Sequence, residues 1–297
     1  MQTKMREEFA KIFGEGREPE FYFAPGRVNL IGEHTDYNGG HVFPCALSIG
    51  TYALARKNDC GKMRFYSLNF TRFGMLAVEG PANEFTNVPA DNWCNYPKGV
   101  MWAYTQKGHT IDSGLDILYY GNIPNGSGLS SSASIEVATA VILNDQFGFD
   151  VDMVEVSKIC QFSENKFNGV NCGIMDQFAI AMGKAGHAIF LDTADLSYTY
   201  APLELTGAKI VIACSNKKRG LADSKYNERR SQCETALAQL QAVKPINSLG
   251  ELTEEEFDAI ADAITDPVNR KRAKHAVYEN QRTIRAVEAL KNNDIAL

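Results

Sequence analysis

The stretch Pro124–Ser134, which reads PNGSGLSSSAS, decides how this sequence is interpreted. It lies between an apolar segment, Leu115–Ile123, and a run with the composition of a buried helix, Ile135–Leu143. Glycine lets the backbone adopt positive φ angles and lets a ligand approach closely. Successive N–H groups in such a turn, followed by a helix N-terminus, form a binding site for an anion. The order of strand, glycine-rich turn and helix therefore predicts a site for the phosphates of a nucleotide.

The loop matches neither of two common nucleotide-binding motifs. It lacks the Gly-Lys-Ser/Thr ending of a Walker A loop, and Ser131 stands where the third glycine of GxGxxG would be. A surface loop in which Ser130 or Ser131 caps the following helix is the alternative interpretation. The loop alone does not decide between a phosphate site and a cap, so the rest of the chain is needed.

A second block, Ala24–Gly40, reads APGRVNLIGEHTDYNGG. Glu33 and Asp36 carry hydrogen-bond acceptors, and His34 can donate or accept. Such a cluster suits the hydroxyl groups of a sugar. A metal site made of the same three side chains is the alternative, but no cysteine or histidine pair with ligand spacing lies nearby.

A third block, Gly169–Phe178, reads GVNCGIMDQF and places Asp176 in an apolar run after a glycine turn. A carboxylate in this position is either a charge stabilised by a helix N-terminus or a buried acid with a function. The block on its own favours the charge at a helix N-terminus.

The composition is that of a globular protein with a large core. The chain has 297 residues, of which 44% are hydrophobic and 22% charged, and a net charge of −6. This charge gives no reason to expect a nucleic-acid or anionic-membrane partner. The N-terminus has no apolar segment of a signal peptide, and the seven cysteines are scattered without a CxxC pair. We therefore expect reduced thiols and a cytoplasmic location.

The apolar pattern predicts mixed helices and strands. Strands are predicted at 21–23, 42–56, 63–66, 75–78, 188–192 and 210–214, with those before residue 80 in an antiparallel sheet. Helices are predicted at 1–13, 95–106, 132–146 and 151–167, and the chain beyond residue 228 is predicted to be largely helical. The helix at 132–146 is apolar on most faces and is therefore expected to be buried.

Together the three blocks resemble the galactokinase branch of the GHMP small-molecule kinases. The block at 24–40 resembles the galactokinase signature, the glycine-rich loop resembles the phosphate-binding motif, and CGIMDQF at 172–178 and Arg219–Glu234 give two further matches. The resemblance implies an α+β GHMP kinase fold. It implies an S5-like N-terminal domain over residues 1–195 and a partial C-terminal α+β domain over residues 196–297.

The resemblance also implies ATP-dependent phosphorylation of galactose at its C1 hydroxyl. The products are galactose 1-phosphate and ADP, in the first committed step of galactose catabolism, the Leloir pathway. Galactose and ATP are the implied small-molecule partners, ATP and Mg²⁺ the implied cofactors, and a cytoplasmic monomer the implied form of the full-length protein.

Phosphoryl transfer depends mainly on positioning and on neutralisation of charge. By resemblance, Arg27 and Asp176 are the catalytic pair. Asp176 would lie next to the C1 hydroxyl, as a base or as an orienting group, and Arg27 would neutralise charge on the transferred phosphoryl group. The implied sugar-binding residues are Glu33, His34, Asp36, Gly173 and Tyr226.

The implied nucleotide-binding residues are Gly126, Ser127, Gly128, Ser130, Ser131 and Ser132, with Trp93 and Tyr96 against the adenine. Ser132 and Glu164 would bind Mg²⁺, which prefers hard oxygen ligands. Structural alternatives stay open: a plain salt bridge for Arg27, core packing for the aromatic residues, and a solvated helix charge for Glu164.

Two other functions remain alternatives from the residues alone. One is a kinase for N-acetylgalactosamine or a related sugar, and the other is a sensor or fragment that binds galactose and ATP without catalysis. Sensors that resemble galactokinase lose residues from the serine-rich loop, whereas serines 130–132 and 134 are intact here. The family also has a third glycine-rich motif, GxGFGGC, and the sequence reaches Leu297 without it. Since that motif supports the phosphate loop, we expect the chain as given to be a poor or inactive kinase.

Overall fold

The computed structural model describes residues 1–124, 126–203, 205, 207–214, 224–292 and 294. Asn125 of the glycine-rich loop and residues 219–223 of the fourth sequence match lie outside these ranges. The described residues form eight strands: β1 (Glu20–Asn29), β2 (His41–Val42), β3 (Pro44–Asn58), β4 (Met63–Ser67), β5 (Leu76–Val78), β6 (Gly114–Gly121), β7 (His187–Asp192) and β8 (Tyr198–Pro202). They also form eight α-helices: α1 (Gln2–Phe13), α2 (Asn95–Gln106), α3 (Ser131–Phe147), α4 (Met153–Lys166), α5 (Met175–Ala181), α6 (Ser224–Gln241), α7 (Glu254–Ile260) and α8 (Pro267–Lys291).

The larger sheet has five strands in the order β1-β3-β6-β4-β5. Its pairs are antiparallel except for β4 and β6, which run parallel with Met63 beside Leu115. The predicted antiparallel sheet is therefore mixed. The physical reason is the connection through α2, because a helical crossover lets the chain return to the sheet in the same direction.

The two faces of this sheet are covered by different helices. Alternate residues of β3 and β6 point to opposite faces, so Ala53 and Ile117 join the core formed with α2, α3 and α4, whereas Leu54 and Leu118 pack against Phe9 of α1. Helix α3 is buried along most of its length, as its apolar sequence predicts.

A buried ion network holds α1 to the sheet. Asp116 of β6 is fully buried and accepts hydrogen bonds from Arg64 Nε at 2.6 Å and from Arg56 Nε at 3.3 Å. The Arg56 guanidinium also donates to the carbonyl oxygens of Phe13 and Gly14 at the end of α1. The network satisfies the buried carboxylate and closes the C-terminal end of the helix.

A smaller sheet, ordered β2-β7-β8, links this layer to the C-terminal helices. Strands β7 and β8 pair as a hairpin on either side of residue 195. The sequence predicts a domain boundary at this residue, and the boundary stays a prediction. Helices α6, α7 and α8 form a separate hydrophobic cluster around Phe257 and Val277. No helix in the described part of the chain is long and apolar enough to cross a membrane.

The strand predicted at 210–214 is wrong. These residues have no regular secondary structure, and Ile210, Val211 and Ile212 are 42%, 86% and 42% exposed. β-branched residues favour extended backbone, but a strand also needs a neighbour to which it can hydrogen-bond. The described residues provide no such neighbour for this segment. The short helix α5 and strand β8 are two elements that the apolar pattern does not predict.

Candidate functional site

The glycine-rich loop turns sharply before α3 begins. Gly126, Gly128 and Ser130 have φ angles of 72°, 75° and 58°, all in the left-handed region. Such values suit glycine and cost a residue with a Cβ. Ser130 precedes the first residue of α3, yet its side chain makes no capping hydrogen bond. Its Oγ instead donates to Asp176 Oδ2 at 2.5 Å, so the capping interpretation is wrong for this residue.

Arg27 of β1 and Asp176 of α5 form an ion pair beside the glycine-rich loop. Arg27 Nε and Nη2 lie 2.7 and 2.6 Å from Asp176 Oδ1, and Arg27 Nη1 donates to the Gly128 carbonyl oxygen at 2.7 Å. The side chain of Arg27 is 13% exposed and that of Asp176 is 31% exposed. Arg27 comes from β1, so three distant parts of the sequence meet at one reachable carboxylate.

The predicted sugar-binding residues lie beside this pair. Asp36 accepts a hydrogen bond from the Met175 backbone N–H at 3.4 Å, which places it next to Asp176. Burial, followed by repulsion from Asp176, raises the pKa of Asp36 to about 6. Burial and the charge of Asp36 raise the pKa of the Tyr226 hydroxyl, so the tyrosine of α6 also faces this cluster.

Gly173 allows Asp36 to occupy its position. A Cβ at residue 173 would lie 2.0 Å from Asp36 Oδ2 and 2.2 Å from its Cγ. The glycine is therefore required by close approach of a side chain, because no larger residue leaves room for the carboxylate there.

Glu33 and His34 lie at the outer side of the cluster. Glu33 is exposed and accepts a hydrogen bond from Asn29 Nδ2 at 2.9 Å. His34 has a φ of 66°, and its ring contacts Tyr37, through a hydrogen bond of 2.9 Å, and Tyr226. A small cavity of about 130 Å³ adjoins both residues.

Two residues of α8 hold this loop, and sequence reasoning missed both. Glu279 is 9% exposed and accepts hydrogen bonds from the backbone N–H groups of Gly32 at 3.0 Å and Glu33 at 3.3 Å. Burial opposes ionisation, but these bonds and Arg282 hold the pKa of Glu279 below its ordinary value. Asn280 Oδ1 accepts from the His41 N–H at 2.7 Å. No local signal predicts these contacts, since more than 230 residues separate the partners.

A cavity of about 380 Å³ begins at the first turn of α3. Ser131 and Ser132 line one end, and Trp93 and Tyr96 line another part. Trp93 is 6% exposed, and its Nε1 has no hydrogen-bond partner among the described residues. Ser127 Oγ is likewise buried and unpaired within that part of the chain. Unpaired buried polar atoms are uncommon in proteins, and here both occur in the predicted nucleotide site.

Glu164 belongs to a buried polar cluster rather than to a solvated helix face. It is 7% exposed, and Gln177 Nε2 donates to its Oε2 at 2.6 Å. Ser132 and Glu136 also lie beside its carboxylate. Burial, with repulsion between the acidic groups, raises the pKa of both Glu136 and Glu164. Sequence reasoning missed Glu136, although its i, i+4 spacing from Ser132 places the two on one face of α3.

The site therefore combines three features. A glycine- and serine-rich helix N-terminus can bind phosphate groups, and a polar cluster around Asp36 can bind hydroxyl groups. Between them lies the Arg27–Asp176 pair, with a cationic group and an acceptor suited to phosphoryl transfer.

Comparisons with known proteins agree with this arrangement. Residues 7–57 match the galactokinase galactose-binding signature, and residues 95–184 match the N-terminal domain of GHMP kinases. The galactokinase of Clostridium acetobutylicum is 61% identical over 97% of this chain and 74% of its own length. That of Bacillus subtilis is 51% identical over 99% of this chain and 75% of its own length.

Solved structures give the same result. The crystal structure of Lactococcus lactis galactokinase complexed with galactose has a TM-score of 0.91 and 44% identity, and it covers 98% of this chain and 75% of that one. Methanococcus jannaschii mevalonate kinase is 17% identical and has a TM-score of 0.53, over 92% of this chain and 81% of its own, which is a likeness of fold alone. The chain has the GHMP kinase fold and belongs to the galactokinase family, whose kinases use ATP.

Proposed function

We propose that the chain phosphorylates galactose at its C1 hydroxyl with ATP, giving galactose 1-phosphate and ADP. The observation that carries the proposal is the Arg27–Asp176 ion pair, which joins the Gly128 carbonyl of the phosphate loop to the first turn of α5. The same pair adjoins the cluster around Asp36. A sugar hydroxyl bound there would lie near a phosphoryl group bound at the loop.

The sugar is proposed to bind among Asp36, Tyr226, Glu33 and His34. Asp36 offers two carboxylate oxygens, of which one accepts a long bond of 3.4 Å from the Met175 N–H. The carboxylate can therefore accept hydrogen bonds from sugar hydroxyl groups. Gly173 contributes by leaving room for this carboxylate.

ATP is proposed to place its phosphates at the loop and its adenine in the cavity by Trp93 and Tyr96. Gly126 and Gly128 give the loop a left-handed turn before α3, and the Ser127 hydroxyl, which lacks a partner in the described residues, is one available donor. The Trp93 indole N–H is a second available donor. Aromatic side chains suit the flat face of a base.

The donor set also fits Mg²⁺. Glu164 and Ser132, which lie side by side, would hold the ion with hard oxygen atoms. No group of three or more His, Cys, Asp or Glu side chains in the described part of the chain is arranged to hold a metal by itself. Mg²⁺ commonly binds one or two protein groups together with substrate phosphates. When bound, Mg²⁺ would offset negative charge on the phosphate oxygens.

The proposed transfer step forms one bond and breaks another. The C1 oxygen forms a bond to the γ-phosphorus while the bond from that phosphorus to the ADP oxygen breaks. Asp176 accepts the hydroxyl proton or a hydrogen bond from it, and Arg27 offsets charge on the transferred group. Ser130 and Arg27 fix the carboxylate, so its orientation is set before substrate binds.

Product analysis tests the proposal. The chain spans about three quarters of the length of the relatives it matches. The assay therefore uses the 297-residue chain and a version extended with the C-terminal part of a relative. Galactose-dependent formation of ADP and of a sugar 1-phosphate, measured by ³¹P NMR, is the result expected in the extended version, and a much lower rate is expected in the 297-residue chain. ATP turnover that galactose does not stimulate in either version would contradict the proposal. N-acetylgalactosamine and glucose serve as competing sugars, and the curated galactokinase relatives do not favour either as the better substrate.

A further inference from the structure

Three side chains from three helices form a buried cluster behind the proposed metal site. Glu136 of α3 and Gln177 of α5 are fully buried, and Glu164 of α4 is 7% exposed. None of the described lysine or arginine side chains forms an ion pair with either carboxylate. Burial of acidic groups without a cationic partner is costly, so a role beyond packing is expected for this cluster.

The amide of Gln177 bridges the two acidic residues. Its Nε2 donates to Glu164 Oε2 at 2.6 Å and to Glu136 Oε2 at 3.2 Å. A side-chain amide has two N–H donors, and both are used in this bridge. Glu136 therefore fixes the rotation of the amide, and the amide in turn fixes one oxygen of Glu164.

The position of Glu136 along α3 connects this bridge to the phosphate loop. Glu136 lies one helical turn after Ser132, on the same face of the helix. Ser132 lines the nucleotide cavity and lies beside Glu164. Glu136 itself is fully buried, so it lies behind the site rather than in contact with a ligand.

We propose that Glu136 is a positioning residue, which acts through Gln177 to hold the Glu164 carboxylate beside Ser132 in the orientation that binds the divalent cation accompanying ATP. This inference rests on the proposed function, because it concerns the metal that the proposed reaction uses. A positioning role and a packing role predict different results. Under the positioning role, loss of the bridge changes the affinity for the metal but not the affinity for the sugar.

The test is Glu136→Met, which keeps approximately the size of the side chain and removes both oxygens that can accept from Gln177 Nε2. Binding of Mn²⁺ in the presence of ADP is measured by isothermal titration, and galactose binding is measured separately. Partners behind a metal ligand typically change metal affinity by about 10- to 100-fold. We expect a loss of that size for Mn²⁺ and a galactose affinity within twofold of the original.

Thr139→Val is the matched control. Thr139 is a fully buried polar residue of the same helix, but it bonds to the Tyr119 hydroxyl at 2.8 Å instead of the cluster. Its replacement is expected to lower thermal stability without changing Mn²⁺ affinity. Gln177→Leu breaks the bridge from the other side. The variant that carries both substitutions should lose little more Mn²⁺ affinity than either single variant, since the effects of residues that act through one another are not additive.

Equal Mn²⁺ affinity in Glu136→Met and the unchanged chain would overturn the inference, as would a parallel loss of galactose affinity. If Glu136→Met does not fold, the same comparison is made with Gln177→Leu. ADP binding that does not depend on the metal in the unchanged chain would also overturn it. Failure of the proposed function has a different signature, namely metal-dependent ADP binding without any phosphorylation of galactose.

Discussion

At the scale of single residues, both oxygens of the Asp176 carboxylate are already bonded, to Arg27 on one side and to Ser130 on the other. Asp176→Asn keeps this shape but weakens the acceptor that faces the C1 hydroxyl. We expect kcat and kcat/KM to fall together by about 10²- to 10⁴-fold, with galactose binding still measurable. Steady-state kinetics in the extended version and titration with galactose check this. Ser130→Ala, which removes one supporting bond, should cause a much smaller fall, and near-normal kcat in Asp176→Asn would remove Asp176 from its proposed role.

The Asp36 carboxylate is expected to lower the stability of the folded chain although galactose binding requires it. Its pKa is raised to about 6 from 3.8 by burial and by Asp176. The folded state therefore holds this proton more tightly than the unfolded state, and stability falls as the pH rises from about 4 to about 6. Asp36→Asn removes this loss, so its free energy of unfolding at pH 7.5 should exceed that of the unchanged chain by about 1–3 kcal/mol.

Urea unfolding at pH 5 and pH 7.5 measures the effect. The stability advantage of Asp36→Asn over the unchanged chain should be larger at pH 7.5 than at pH 5 by about 1 kcal/mol. Galactose binding should be lost in this variant. An advantage that is the same at both pH values would show that titration of Asp36 is not its cause.

At the scale of elements, α8 holds the sugar-binding loop from behind. Glu279→Ala leaves the N–H groups of Gly32 and Glu33 without their acceptor. An unpaired buried group costs about 1–3 kcal/mol, so we expect the galactose KM to rise about tenfold while kcat changes less than twofold. Glu288→Ala removes an exposed carboxylate of the same helix and should leave both constants unchanged. A fall in kcat with an unchanged KM would show that the loop is not what Glu279 supports.

A second element, α1, depends on Asp116. Asp116→Ala leaves Arg56 and Arg64 charged and without their buried acceptor. Removal of one partner from a buried ion pair costs about 3–5 kcal/mol. We expect a loss of this size in urea unfolding, with galactose affinity unchanged in the folded protein. Asp262→Ala is the control, because its carboxylate is 98% exposed in its pair with Arg270, and a similar loss in both variants would contradict the explanation.

The elements also show what the sequence can and cannot predict. Helix α2 has the bounds that its apolar pattern predicts, Asn95–Gln106, and Arg27 lies against Asp176 as expected. A strong local pattern decides the first case, whereas the expectation for Arg27 and Asp176, which are 149 residues apart, comes from the resemblance to galactokinases. The strand predicted at 210–214 fails because pairing depends on a neighbour that no local pattern specifies. The contacts of Glu279 and Asn280 could not be predicted from the sequence, because they form only when α8 packs on a distant loop.

At the scale of the whole molecule, the proposed sugar site joins two separately packed parts. Asp36 and Gly173 belong to the part that carries the two sheets, whereas Tyr226 belongs to α6, which packs in the cluster of α6, α7 and α8. A ligand that contacts both parts stabilises each against separation from the other. Binding to the folded state alone adds about 2.7 kcal/mol when the ligand is present at 100 times its Kd.

We therefore expect galactose to raise the melting temperature of the chain and to slow hydrogen exchange in α6 as well as in the loop at 32–41. Tyr226→Phe should reduce the protection of α6 more than that of the loop, because it removes the hydroxyl that faces Asp36 but keeps the ring that packs on His34. Glucose, which differs from galactose only at C4, is the control sugar and should protect neither region at the same concentration. Protection confined to the loop, with α6 exchanging at its ligand-free rate, would show that the sugar does not bridge the two parts and that Tyr226 lies outside its binding site.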